Sequence, residues 1–298
     1  MADTAVADAD SGLAGRQLAD RYGLSIAGER PTLPAYTRKL WSYRHFIAAY
    51  ANAKVTSSFS QARLGQLWQV LTPLTNAAVY YLIFGIILNT KSGIPNFIAY
   101  LCVGLFVFTF TQSVALGGTT AITSNLGLIR ALHFPRASLP FAITMTQFQH
   151  LISAMVVLVG IVLVTGEPIK LEWLLVIPAL LLQSVFSVGL ALLLARLGSK
   201  MTDLKQVMPF VMRAWMYGSG VLYSVKAFSD NLPAMVAALI HLNPLLVYIE
   251  LVRHALLENA PLTSSVPRLW LLATAWALVM GIGGYVYFWR GEQEYGRG

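Results

Sequence analysis

Five stretches of this chain contain no Asp, Glu, Lys or Arg: Leu67–Leu88, Phe97–Ile122, Phe141–Thr165, Trp173–Ala195 and Leu269–Trp289. A helix needs roughly 20 residues to cross ~30 Å of hydrocarbon, and each run reaches that length. A sixth run, Gln206–Val225, carries one charge, Arg213. The expected fold is therefore all-α and integral to a membrane, with six transmembrane helices. Only 11% of the residues are charged, against about a quarter in soluble domains. The shortfall is what remains when most side chains face lipid or other helices.

The loops between the runs divide the basic residues unequally. Alternate segments hold fifteen Lys and Arg on one side and five on the other. The rich side is expected to be cytoplasmic, which puts both termini inside a plasma (inner) membrane. The net charge of +8 gathers at membrane edges, where orientation and anionic lipid head groups account for it without nucleic acid. Met1–Asp10 lacks the basic start and apolar stretch of a secretory signal. Residues 1–36 read as a flexible cytoplasmic tail, 37–58 as an amphipathic helix, and 59–298 as one six-span domain.

Asn231–Ile249 is also uncharged, but Asn243-Pro244 interrupts it. Proline removes a donor and restricts the residue before it, so a helix breaks there. The pieces, within about 228–260, are each too short to cross. They read as a re-entrant helical hairpin between the fifth and sixth spans, with a seventh span as the alternative. Glu250, Arg253 and His254 are spaced for pairing on one helix face, a structural role by default.

Leu40, Tyr43, Ile47 and Tyr50 recur at helical spacing before the first span, opposite a polar face. Such a helix suits the head-group plane, as a passive anchor or as something more. The loop Asn125–Pro140 is too apolar for a solvated connection. It fits a short helix that docks on a partner or packs back on its own bundle. Arg213 lies inside the fifth run, where a charge faces a bundle interior or water, or snorkels to the edge. Trp215, Tyr217 and Tyr223 follow it, and their aromatic faces suit sugar rings or the membrane interface.

Several chemistries have no footing. There is no G-x-x-x-x-G-K phosphate loop, no H-E-x-x-H and no G-x-S-x-G. The lone cysteine, Cys102, gives no internal disulfide and argues against a cysteine-based metal site. A membrane-embedded glycosyl- or acyltransferase would have only Glu250, His254 and Asp203 for acid–base work. The confident spans show neither the internal repeats nor the midspan acids of an ion-coupled transporter. Active transport would need another chain for nucleotide hydrolysis or an ion gradient.

Four stretches in order resemble the permease subunit of ABC exporters for lipid-linked polysaccharides, the Wzm-type permeases of O-antigen, teichoic acid and galactan export. They are Ala62–Trp68 running to Pro73-Leu74 and Tyr80–Gly85, then Asn125–Pro140, then Asp203-Leu204 with Pro209 and Tyr223, then Asn243-Pro244-Leu245 with Glu250 and Arg253. Two positions depart from the pattern. Thr202 precedes Asp203 where the family commonly has Arg, and Gly218-Ser219-Gly220 replaces a Ser-Pro, which puts the local helix break in doubt.

The resemblance implies a homodimer with two cytoplasmic ATPase subunits that bind ATP and Mg, with no cofactor or metal in this chain and no catalytic residue. It implies that Asn125, Leu126, Leu128, Ile129, Arg130, Phe134, Pro135 and Arg136 belong to the ATPase-coupling element. The amphipathic helix would be the gate, with Arg38, Lys39, Trp41, Arg44, Lys54 and Arg63 as candidates to meet the polyprenyl diphosphate. Arg213, Trp215, Tyr217 and Tyr223 would line the channel, and Asn243, Pro244, Glu250 and Arg253 the external exit. Among these members the chain resembles the cell-wall galactan exporters. A permease for drugs or lipids shares the fold and is the alternative within the class.

Overall fold

A computed structural model describes residues 31–59, 68–87, 94–225 and 233–295. Eleven α-helices run through them. They are α1 (Leu33–Ser42), α2 (Arg44–Phe59), α3 (Trp68–Tyr80), α4 (Phe97–Thr120), α5 (Leu126–Ala131) and α6 (Ser138–Val164), followed by α7 (Val176–Lys200), α8 (Leu204–Gly218), α9 (Ala234–His241), α10 (Pro244–Leu256) and α11 (Val266–Arg290). No strand occurs among the described residues.

Four helices are long and apolar enough to cross a membrane: Phe97–Thr120, Ser138–Val164, Leu171–Lys200 and Val266–Arg290. They coincide with four of the uncharged runs. The first run appears as α3 continuing into seven π-helical residues, Tyr81–Ile87. The sixth run departs from expectation. Its helix ends at Gly218, and 15 residues cover only ~22 Å. Gly220 takes φ +60°, a left-handed turn that glycine adopts without Cβ strain, and the chain continues to Val225 as a buried irregular segment.

α4 is the hub. It is buried along most of its length and packs on α6, α7, α8 and α10. The most extensive helix pair is α7 with α11. Without a hydrophobic drive between helices in lipid, close approach of small residues supplies the packing. Gly189 and Gly284 face each other so closely that a Cβ on either would strike the opposing backbone.

The amphipathic segment is two helices rather than one. α1 begins at Leu33, inside the stretch expected to be tail, and buries Tyr36 and Leu40. The chain turns at Tyr43 into α2, which lies along α6. Tyr36, the start of α6 and the residues after α11 meet at one end of the bundle. This basic end is opposite the hairpin end, where α9 and α10 lie.

Overpacking a close glycine contact costs about 1–3 kcal/mol. Gly284→Leu is expected to lower the melting temperature of the purified protein, read by size exclusion after heating. Gly283→Leu, whose added Cβ meets nothing within 4 Å, is expected to leave it unchanged.

Candidate functional site

At the basic end, α4 hands over to a short 3-10 turn, Thr123–Asn125. Asn125 ties it in both directions. Its amide donates to Ala121 O at 2.8 Å, and its Oδ1 accepts the Tyr50 hydroxyl at 2.7 Å. α5 follows, and the loop after it is pinned to α2. The Phe134 ring sits 5.2 Å from that of Phe46, and the Tyr43 hydroxyl donates to His133 O at 3.1 Å.

This geometry divides the residues of the coupling motif. Ile129, Phe134 and Pro135 are buried in the bundle's own core, while Asn125, Leu126, Leu128 and Arg136 are half-buried. Arg130 is exposed, together with Gly127, His133 and Leu132, the last at 50%. One side of this loop packs back on the bundle, and the other projects outward.

A buried carboxylate, unnoticed in the sequence, knots three elements beneath the loop. Glu292 is 5% exposed. It accepts the Tyr36 hydroxyl at 2.7 Å and the Arg136 backbone N–H at 3.0 Å, and pairs with the Arg136 guanidinium at 3.5 Å. The Tyr36 hydroxyl oxygen in turn accepts the Ala137 N–H at 3.2 Å. Tyr295 stacks on Phe288 with ring centroids 4.6 Å apart, which folds the segment after α11 back onto that helix. Burial raises the Glu292 carboxyl above its ordinary range, opposed by the contacts with Arg136 and Tyr36. Burial, then the Glu292 charge, raises the Tyr36 phenol.

The gate candidates occupy the open side of α1 and α2. Arg38, Lys39, Arg44 and Lys54 are exposed, and Trp41 is 70% exposed. Arg44 stands 5.6 Å over the Trp41 ring, and Lys54 stands 5.6 Å over Tyr50. Arg63 lies outside the described residues.

The hairpin end is organised by two side chains. Asn243 caps α10 through Leu245 N–H at 3.1 Å, and its Oδ1 also accepts Trp215 Nε1 at 2.9 Å. Its amide reaches Gly218 O at 2.9 Å. The helix break expected at Asn243-Pro244 is present, and it is welded to the end of α8.

Arg253 is fully buried. It donates to Tyr100 O, Gly220 O and Val221 O at 2.9–3.2 Å and lies 3.3 Å over the Tyr100 ring. Glu250 accepts from Thr263, by N–H at 3.1 Å and hydroxyl at 2.9 Å. Glu250 makes no direct hydrogen bond or ion pair with Arg253 or His254 among the described residues: Thr263 takes up Glu250, and the carbonyls of Tyr100, Gly220 and Val221 take up Arg253.

The channel candidates also separate. Met208, Met212 and Met216 turn inward, which leaves Arg213 and Tyr217 exposed on the opposite face of α8. Trp215 faces Asn243. Tyr223 donates to Tyr217 O at 2.7 Å.

The helical bundle, with four helices long and apolar enough to cross a membrane, is that of a multi-span membrane protein. The family model described as ABC-2 type transporter matches residues 47–257, and the chain belongs to that family. It is 27% identical over 200 residues to the O-antigen export system permease protein RfbA of Klebsiella pneumoniae, covering 67% of this chain and 75% of the relative. The protein of the same name from Myxococcus xanthus is 24% identical over 194 residues, 65% and 74% of the two chains. The polysialic acid transport protein KpsM of Escherichia coli is 22% identical over 207 residues, 69% and 79% of the two.

A raised carboxyl pKa means that the folded chain holds the Glu292 proton more tightly than the unfolded chain does. The resulting stabilisation is fully present below the ordinary value of 4.5 and is lost as pH rises through the folded value. Glu292→Gln removes this dependence. The melting-temperature advantage of the unaltered protein over the variant is therefore expected to be greatest in acid and to narrow toward neutral pH.

Proposed function

We propose that this chain is the membrane-spanning half of an ATP-driven exporter that carries a polyprenyl-diphosphate-linked polysaccharide from the cytoplasm to the outer face of the plasma membrane. The observation that carries the reading is family membership joined to similarity with permeases for O-antigen and polysialic acid. Galactan of a cell wall is the glycan we favour, from the sequence resemblance.

In this reading the basic end is cytoplasmic, and the described chain begins and ends there. α3 with its π-helical extension, and α8 together with the irregular segment to Val225, add two spans to the four long helices, for six. α9 and α10 form the re-entrant hairpin. Their turn at Leu242–Pro244 lies level with Trp276, which donates to Leu242 O at 2.8 Å, about 15 Å along α11. The domain division is a cytoplasmic tail, an interface segment lying in the head-group plane, and one permease domain.

One subunit encloses too little space for a hydrated sugar chain, so two copies about a two-fold axis form the passage. The exposed α8 face bearing Arg213 and Tyr217 is suited to that shared wall. Two ATPase subunits supply ATP and Mg, and the chain itself holds no cofactor and catalyses no reaction. Arg38, Lys39, Arg44, Lys54 and Arg63 offer charge-assisted contacts to the diphosphate at the cytoplasmic mouth, with Trp41 anchoring the interface.

Docking of the ATPase uses the outward face of α5 and its loop. Leu132→Asp places a charge on that face without touching the core. Expected results are loss of ATPase co-purification and a tenfold or greater fall in ATP hydrolysis by vesicles holding both chains. Normal assembly and hydrolysis in this variant would move the docking surface elsewhere.

A further inference from the structure

Two cavities open along one side of the bundle. One, about 280 Å³, lies between α3, α4 and α6. The other, about 250 Å³, lies between α2, the end of α4 and the start of α6. Gln147 and His150 line both, so the two form one groove. It starts at the basic end beside Ser124 and, from Thr120 to Phe106, rises about 21 Å along α4. Together the cavities fall in the size range of small-molecule sites, ~300–1,000 Å³.

Five polar side chains of the first cavity are unspent. Thr72, Asn76, Thr109, Ser113 and Gln147 line the first cavity, and none forms a side-chain hydrogen bond among the described residues. Deeper in the bundle the Gln183 amide N–H groups, Thr111 and Ser187 find partners, while the Gln183 Oε1 has none. Gln183 donates to Thr111 at 2.9 Å, and Thr111 and Ser187 share a hydrogen bond at 3.0 Å. At hydrocarbon depth an unsatisfied polar group is expensive. Five of them on three helices line one space, Thr72, Asn76 and Thr109 exposed and Ser113 and Gln147 half-buried, and a polar occupant would satisfy them.

Its chemistry follows from the walls. Trp68, Phe106 and Phe110 present aromatic surface. Among the described residues no carboxylate lines either cavity, and Lys54 at the basic mouth is the one Lys or Arg that does. Amides and hydroxyls complement the hydroxyls of a sugar ring, and aromatic faces complement its C–H surface. A neutral, hydroxyl-rich ring satisfies both, whereas an ionic ligand would lack a partner beyond the mouth.

We propose that this groove, inside a single subunit, binds the uncharged sugar end of a lipid-linked glycan. The phosphate lies at the Lys54 mouth, and the lipid tail stays in the bilayer. The proposal rests on the export reading and adds to it a loading site apart from the passage between two copies.

The test uses the permease with its ATPase in nanodiscs and three probes: a polyprenyl-diphosphate disaccharide, the same polyprenyl diphosphate without sugar, and the free disaccharide. The unaltered complex is expected to bind the glycosylated lipid at least tenfold more tightly than either other probe. Gln147→Leu and Asn76→Leu are expected to abolish that preference while size-exclusion behaviour and ATPase association persist. Should those variants fail to fold, Ser113→Ala and Thr109→Val remove only hydroxyl groups and are expected to weaken binding several-fold.

Equal binding of the two lipids by the unaltered complex overturns the proposal, as does a preference retained in the folded variants. Equal binding of the free disaccharide overturns the lipid-linked source. Glycan export by the unaltered complex, with variants that bind and export normally, sinks the groove alone. Absence of glycan export from the unaltered complex sinks the export reading instead.

Discussion

Backbone carbonyls inside hydrocarbon have no water to bond, so every break in a helix must be satisfied by the protein itself. The break after Gly218 leaves the carbonyls of Gly220 and Val221 at membrane depth, and Arg253 supplies their donors. The same guanidinium reaches Tyr100 O and stacks on the Tyr100 ring. Gly104 makes room for it, since a Cβ there would fall 2.5 Å from a guanidinium nitrogen. Burying a charge costs several kcal/mol, and the cost is met because its donors meet carbonyls from two elements. α4, the segment after α8, and α10 are thereby held in one arrangement, with Asn243 closing the other side of the same break.

The basic end uses a charge of opposite sign for a similar purpose. Glu292 gathers the hydroxyl of α1 and the backbone of the loop before α6 onto the segment after α11. In the export reading, the docking loop and the interface helix are linked through this carboxylate as well as through Phe46 and Phe134. The groove lies between these two organised ends, where polar side chains remain uncommitted. Rigid ends with an uncommitted middle suit a protein that must hold its partners while something passes.

Much of the bundle was legible from uncharged length alone. The runs at Phe97, Phe141, Trp173 and Leu269 correspond to long helices, because a span must be apolar throughout. The run Gln206–Val225 overstated its helix because apolar composition does not distinguish a helix from an irregular segment buried by neighbours. The single amphipathic helix became two because Tyr43 and Phe46 follow the loop at His133 and Phe134 instead of a straight axis. The loop Asn125–Pro140 was visible as one too apolar for water. Which of its residues face outward was not, since Ile129 and Phe134 differ from Leu132 only in what lies beneath them.

The sequence by itself determined the lengths of the membrane-crossing elements, the bias of basic residues to one side and the break at Asn243-Pro244, because these depend on composition and on proline's covalent geometry. Only the tertiary structure decided which polar side chains are spent and which are open. The partners of Arg253 include Tyr100, 153 residues earlier, and those of Glu292 include Tyr36, 256 residues earlier. Pairings over such separations exist only once the helices have packed, and no local pattern of residues encodes them.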